Sequence, residues 1–172
     1  TLAELYLEWK KTDAAIGTLE QCLALDDDSA NPGIIQAKNA LAKVYISIGQ
    51  LDKAEAYVGE VLEADPKSLD GHFNMGNIYL LRGDGVNAVS EFRAVVNERP
   101  QFISGYLRLA SAHVLNKELE LAVDTLQNAL KVNPESKDAL KTLARVYVLK
   151  KDYAAAEVQL RKILDIDPTD AN

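Results

Sequence analysis

The sequence predicts an all-α protein, a solenoid of stacked antiparallel helix pairs. Proline recurs at 32, 66, 100, 134 and 168, always at an interval of 34 residues, and a fixed period in this range marks a repeat architecture. After each of the first four prolines a large–small pair returns in register: Leu41-Ala42, Met75-Gly76, Leu109-Ala110 and Leu143-Ala144. Three residues on stand Tyr45, Tyr79, His113 and Tyr147. Further along come Ala54, Ala88, Ala122 and Ala156, each followed four residues later by Val58, Phe92, Leu126 or Leu160.

The bulk properties fit such an array. At 172 residues and 48% hydrophobic, the chain has the length and apolar content for a packed core and is not a disordered polymer. No apolar run approaches the roughly 20 residues that span a bilayer, so direct membrane insertion is not expected. A net charge of −7 disfavours nucleic acid and anionic lipid as partners. The single cysteine, Cys22, cannot form an internal disulfide, which fits a reducing compartment such as the cytoplasm. The opening "TLAELYLEW" is already apolar-periodic, so the chain reads as a segment of something longer.

Apolar spacing places two helices in each copy. The first helices run at about 1–10, 35–48, 69–82, 103–116 and 137–150. The second run at about 13–25, 52–64, 86–98, 120–132 and 152–165. Residues 1–29 form a partial copy, because "LAELY" at 2–6 matches "LAKVY" at 41–45, and Ala15, Leu19 and Cys22 fall where Ala54, Val58 and Val61 fall later. Complete copies occupy 35–68, 69–102, 103–136 and 137–170, and the connection "LDDDSANPG" holds five extra residues. Turns such as "IGQL", "RGDG" and "KKDY" join the helices of a pair, with Asp84 and Asp152 available as caps. Proline past each second helix prevents its continuation.

The pattern resembles the tetratricopeptide repeat, whose signature is this large–small pair, aromatic, later alanine, large apolar residue and closing proline. The resemblance covers essentially the whole chain. It implies a right-handed superhelix with a concave groove that binds segments of partner proteins. Small residues at 3, 42, 76, 110 and 144, met by Ala15, Ala54, Ala88, Ala122 and Ala156, let the two helices of a copy approach closely. Gly85 departs from the pattern, since Leu51, Leu119 and Tyr153 hold its slot elsewhere, so the copy at 69–102 is expected to be locally loose.

Little points to catalysis or a cofactor. His72 and His113 are 41 residues apart and read as packing residues; no histidine or cysteine is spaced for zinc. Cys22 reads as a small packing residue, like Ala129. Asp26, Asp27 and Asp28 suggest calcium, yet an EF-hand pattern started at Asp26 puts Asn31 at its glycine and Ala37 at its final glutamate. P-loop, nucleophile-elbow and dinucleotide motifs are missing from the sequence. Trp9 falls near a turn, where it covers an apolar edge or meets a partner.

A second stripe on each first helix differs from copy to copy, so packing does not dictate it. Its members include Asn39 and Lys43, then Phe73, Asn74, Asn77 and Leu80, then Leu107, Arg108 and Ser111, then Lys141 and Arg145. In the tetratricopeptide family these positions line the groove. Lys43, Arg108, Lys141 and Arg145 outnumber Asp70 and Asp138 there, predicting a positive, partly apolar channel in an acidic chain. Asn74 and Asn77 are expected to pair with a peptide backbone. The asparagine ladder of the O-GlcNAc transferase type is absent, as Ala40, Arg108 and Thr142 hold the slots equivalent to Asn74. The carboxylate-clamp type needs lysine where Phe73 stands.

The favoured function is a non-enzymatic scaffold whose groove binds a partner segment with acidic and apolar side chains. The alternative is an accessory array within a larger enzyme or secretion-related lipoprotein. Val158, Leu160, Ile163, Leu164 and Ile166 predict an apolar face through which copies associate end to end.

Overall fold

A computed structural model of the chain describes residues 11–25 and 31–167, where every regular element is an α-helix. They are α1 (Thr12–Ala24), α2 (Pro32–Ser47), α3 (Leu51–Ala64), α4 (Leu69–Leu81), α5 (Gly85–Glu98), α6 (Ile103–Leu115), α7 (Leu119–Val132), α8 (Lys137–Leu149) and α9 (Tyr153–Ile166). The expected helix at 1–10, Trp9, the aspartates at 26–28 and Pro168 lie outside the described residues.

Local chemistry sets the boundaries. Asp84 accepts from the Asn87 N–H at 3.1 Å and Asp152 from the Ala155 N–H at 3.0 Å, capping α5 and α9 as expected. Ser136 caps α8 in the same way. Helix α2 starts three residues before the expected 35, because extended Asn31 accepts from the Gly33 N–H and Pro32 takes the first helical position. Proline is suited there, since that N–H has no intrahelical partner. Four equivalent turn residues have positive φ: Gly49 at 75°, Gly83 at 77°, and Lys117 and Lys151 at 63°. The glycines adopt this conformation freely, whereas the lysines are strained by their Cβ.

The chain divides into two compact units, residues 1–78 and 79–172, with the boundary inside α4. In the first unit α2 packs on α1 and α3. Leu19, Leu41, Ala42, Val44, Tyr45, Ala54, Val58 and Ile78 form its core. The Tyr45 ring stacks on Tyr57 with centroids 5.8 Å apart, and its hydroxyl donates to Glu20. In the second unit α6 packs on α5, α7 and α8, and α8 on α7 and α9. Ala110, Ala122, Val123, Leu126, Leu143 and Val146 form a core cluster there.

The small slots behave as the pattern requires. Ala42, Gly76, Ala110 and Ala144 are buried, as are Ala15, Ala54, Ala88, Ala122 and Ala156. Two expectations are corrected. Gly85 is buried and tightly packed rather than loose: a Cβ there would collide with the Asn116 side chain and lie 3.1 Å from the Ala112 carbonyl oxygen. Asn116 thus occupies the space that a larger residue at 85 would need. Cys22 is exposed rather than packed, unlike Ala129.

Substituting Ala110→Leu should overpack the helix pair and destabilise the chain by about 1–3 kcal/mol in chemical denaturation. By contrast, Lys117→Gly and Lys151→Gly relieve the left-handed strain. Each should raise stability by up to about 1 kcal/mol, net of glycine's added unfolded-state entropy.

Candidate functional site

In the first unit the variable stripe comprises residues of α2 and the start of α4. Lys43 Nζ lies 3.0 Å from Asp70 Oδ1, and both side chains are well exposed. Phe73 is half-buried. Asn77 is also half-buried, and its amide donates to the Phe73 carbonyl one turn earlier at 2.8 Å.

Asn74 overturns its expected role. It is only 1% exposed, and its Nδ2 donates to Asn39 Oδ1 at 3.2 Å and to the Asn39 carbonyl at 3.4 Å. Asn39 is buried as well. The Asn74 amide thus donates into Asn39 between α2 and α4, and with both side chains buried neither is presented to a ligand's backbone in this conformation. A buried amide needs such a partner, because leaving it unpaired costs about 1–3 kcal/mol.

In the second unit Leu80 and Leu107 are half-buried, with Leu107 leaning on the Ala110–Leu126 cluster. Ser111 donates its hydroxyl to the Leu107 carbonyl at 2.9 Å. Arg108, Lys141 and Arg145 are exposed. Helices α8 and α9 enclose an open, largely apolar pocket of about 560 Å³, lined by Lys141, Ala144, Arg145, Val148, Leu149 and Leu160. Lys141 and Arg145 belong to the variable stripe of α8, and Ala144, Val148 and Leu149 come from the same helix. Leu160 comes from α9 and was legible only as part of an apolar end face. Of that face, Val158, Leu160, Leu164 and Ile166 are exposed. Ile163 is not: it is 2% exposed, turned inward against its own pair.

Sequence reasoning missed a second depression of about 520 Å³. One face of α5, from Val86 to Asn97, lines it together with His113, Asn116 and Glu118. The signal was the histidine in a tyrosine slot. His113 is buried, with Nδ1 2.7 Å from Glu118 Oε2. This hydrogen bond, helped by one from Asn116, holds the Glu118 carboxyl below its ordinary value near 4.5. A depressed carboxyl stabilises the fold above its unfolded value and loses that contribution as pH falls through the folded one. Glu118→Gln should therefore flatten the acid limb of the stability profile below about pH 4.5. His72 has a structural role too, with Nε2 3.1 Å from the Pro66 carbonyl oxygen.

Among the described residues, no group of three His, Cys, Asp or Glu side chains is arranged to hold a metal. No described helix is long and apolar enough to cross a membrane.

The family model for the tetratricopeptide repeat matches residues 6–73 and 114–172, which is most of the chain. The chain belongs to the tetratricopeptide-repeat family. Among solved structures, MamA (residues 41 to end) from Desulfovibrio magneticus RS-1 is similar, with a TM-score of 0.82 at 18% identity. The match covers 99% of this chain and 94% of that one. TTC0263, a thermophilic tetratricopeptide-repeat protein from Thermus thermophilus, gives 0.77 at 20% identity, covering 98% and 90%. YrrB, described as having an unusual peptide-binding site, gives 0.72 at 18% identity, covering 98% and 84%. Among curated proteins, none matches the chain in sequence. At these identities the neighbours share the fold: an all-α tetratricopeptide solenoid. Family and fold support a protein-interaction scaffold in general terms.

Asn74→Leu should strand the Asn39 amide and destabilise the chain by about 1–3 kcal/mol in urea titration. Lys43→Ala, which removes an exposed ion pair, should change stability by less than about 1 kcal/mol.

Proposed function

We propose that the variable face of the first helices binds a segment of a partner protein, extended or briefly helical, rich in acidic and apolar side chains. The observation that carries this reading is the α8–α9 pocket. It is apolar over most of its wall, yet two cations, Lys141 and Arg145, stand at it in a chain of net charge −7. Arg108 extends the basic character along the stripe of the same unit, and Lys43, paired with Asp70, supplies a cation to the stripe of the first unit. Phe73 and Leu107 offer half-buried apolar surface, and Asn77 and Ser111 add polar groups. YrrB, a neighbour in fold, is described as having a peptide-binding site. Each exposed charge contact contributes about 0.2–1 kcal/mol, so apolar burial at about 25 cal/mol per Å² supplies most of the affinity. Val158 and Leu164, exposed on α9, support a second reading in which copies also associate through that helix.

The test is selection from a random peptide-display library, followed by titration of the enriched peptides. Enriched sequences should combine Asp or Glu with apolar residues. Arg108→Glu with Arg145→Glu should weaken binding about tenfold or more, and raised salt should weaken it without abolishing it. Enrichment of basic peptides, or binding unchanged by these substitutions and by Phe73→Ala, would contradict the reading. Sedimentation of the free chain decides the second reading, which predicts a mass rising with concentration.

A further inference from the structure

The internal repeat shows where the chain departs from its own pattern, and four departures line one place, the depression between α5 and the α6–α7 turn. The copy that follows is regular. There Lys150 Nζ lies 2.6 Å from Glu120 Oε2, Tyr147 holds the aromatic slot, and Asp152 caps α9. The copy before carries the same residue types in sequence: Arg82 and Asp52, Tyr79, and Asp84. Between them, in the same positions, stand Asn116 and Val86, His113, and Glu118.

Each departure gives something up. The seam between α5 and the α6–α7 turn has no acid–base pair at these positions, and Glu118 stands at the N-cap of α7 without capping it. Its carboxylate turns instead to His113 Nδ1, 2.7 Å away. An ionised carboxylate only accepts, so Nδ1 carries the ring proton and Nε2 presents a lone pair. His113 is 3% exposed, yet Nε2 has no partner among the described residues and is not sealed from solvent. After the bonds from His113 and Asn116, the charge of Arg93 also helps to hold Glu118 ionised, which brings in an exposed cation of α5. No described residue forms an ion pair with Arg93. Local rules broken together at one place are expected where a chain serves function rather than packing.

Two acceptors and a cation thus stand at a hollow of about 520 Å³, within the range of small-molecule sites, with Val86, Val89 and Ala94 as its apolar wall. A plain anion would meet Glu118, and a plain cation would meet Arg93. A ligand carrying both charges avoids both repulsions. We infer that this depression binds a small zwitterion, an α-amino acid or dipeptide with an apolar side chain. Its ammonium donates to His113 Nε2 and Glu118, its carboxylate accepts from Arg93, and its side chain rests on Val86 and Val89. The site shares no residue with the variable stripe or the α8–α9 pocket, so it stands or falls apart from the groove reading.

The probes are leucine and leucyl-leucine. Leucinamide keeps only the ammonium, and N-acetylleucine only the carboxylate. Nitrogen-15 NMR follows the His113 ring in titrations of the whole chain. The free chain should show the Nδ1–H tautomer, and either zwitterion at millimolar concentration should shift Nε2 saturably. Each single-charge analogue should bind about threefold more weakly or worse. Arg93→Gln should remove the preference for leucine over leucinamide. Val86→Glu with Asn116→Lys, which installs the ion pair of the following copy, should abolish the response. Circular dichroism checks that this double variant keeps its helices, and Arg93→Gln, at an exposed position, carries the test if it does not. The absence of a saturable shift at His113 with either zwitterion would overturn the inference. So would equal binding of a single-charge analogue, a preference untouched by Arg93→Gln, or a response that survives in the folded double variant. Each of these results leaves the groove reading where it stands.

Discussion

The packing of paired helices around their smallest residues is the contact on which each unit depends. Ala42 and Ala54 are buried in the core of the first unit, and Ala110 and Ala122 in the core cluster of the second. Interiors are packed about as densely as organic crystals, so one missing side chain decides how near two backbones come. Gly76 costs its helix about 1 kcal/mol relative to alanine, and packing offsets this. Once these slots face inward, helical periodicity fixes the direction of every other residue. Leu41, Tyr45, Val58 and Leu126 must then form cores, and the stripe beside them is left to vary.

That division separates fold from recognition. Ion pairs with both side chains exposed, such as Lys43–Asp70 and Arg161–Glu157, contribute little to stability. The stripe cations can therefore vary at little cost to the fold, which leaves them to tune affinity and partner choice. The polar groups drawn inward are those that found partners: Asn39 with Asn74, and His113 with Glu118. Both pairs stand where a repeat departs from its neighbours, and both make an irregular position structurally specific.

The 34-residue proline spacing and the large–small pairs made the helices legible to within a few residues, because both follow from local geometry. The start of α2 was missed because proline was read only as a terminator, whereas Asn31 turns Pro32 into a first helical residue. Asn74 was misread because its helix alone places it at the margin of the variable stripe. What buries it is Asn39, 35 residues earlier, a spacing one residue off the repeat that a search for paired amides would have exposed. Gly85 looked like a void because the sequence does not show Asn116 folding over it. Ile163 was assigned to an outer face that its own helix pair covers. In each case the unreadable part was a contact between elements, whereas the readable part lay within one.

The central claim, that the small residues of a pair meet face to face, is tested most directly by a double-mutant cycle on Ala110 and Ala122. Ala110→Val, Ala122→Val and the double variant are compared with the parent by urea denaturation. If the two slots share one contact, the effects are non-additive, with a coupling free energy of about 0.5 kcal/mol or more. Additivity within about 0.3 kcal/mol would mean that the two alanines pack independently, contradicting the account.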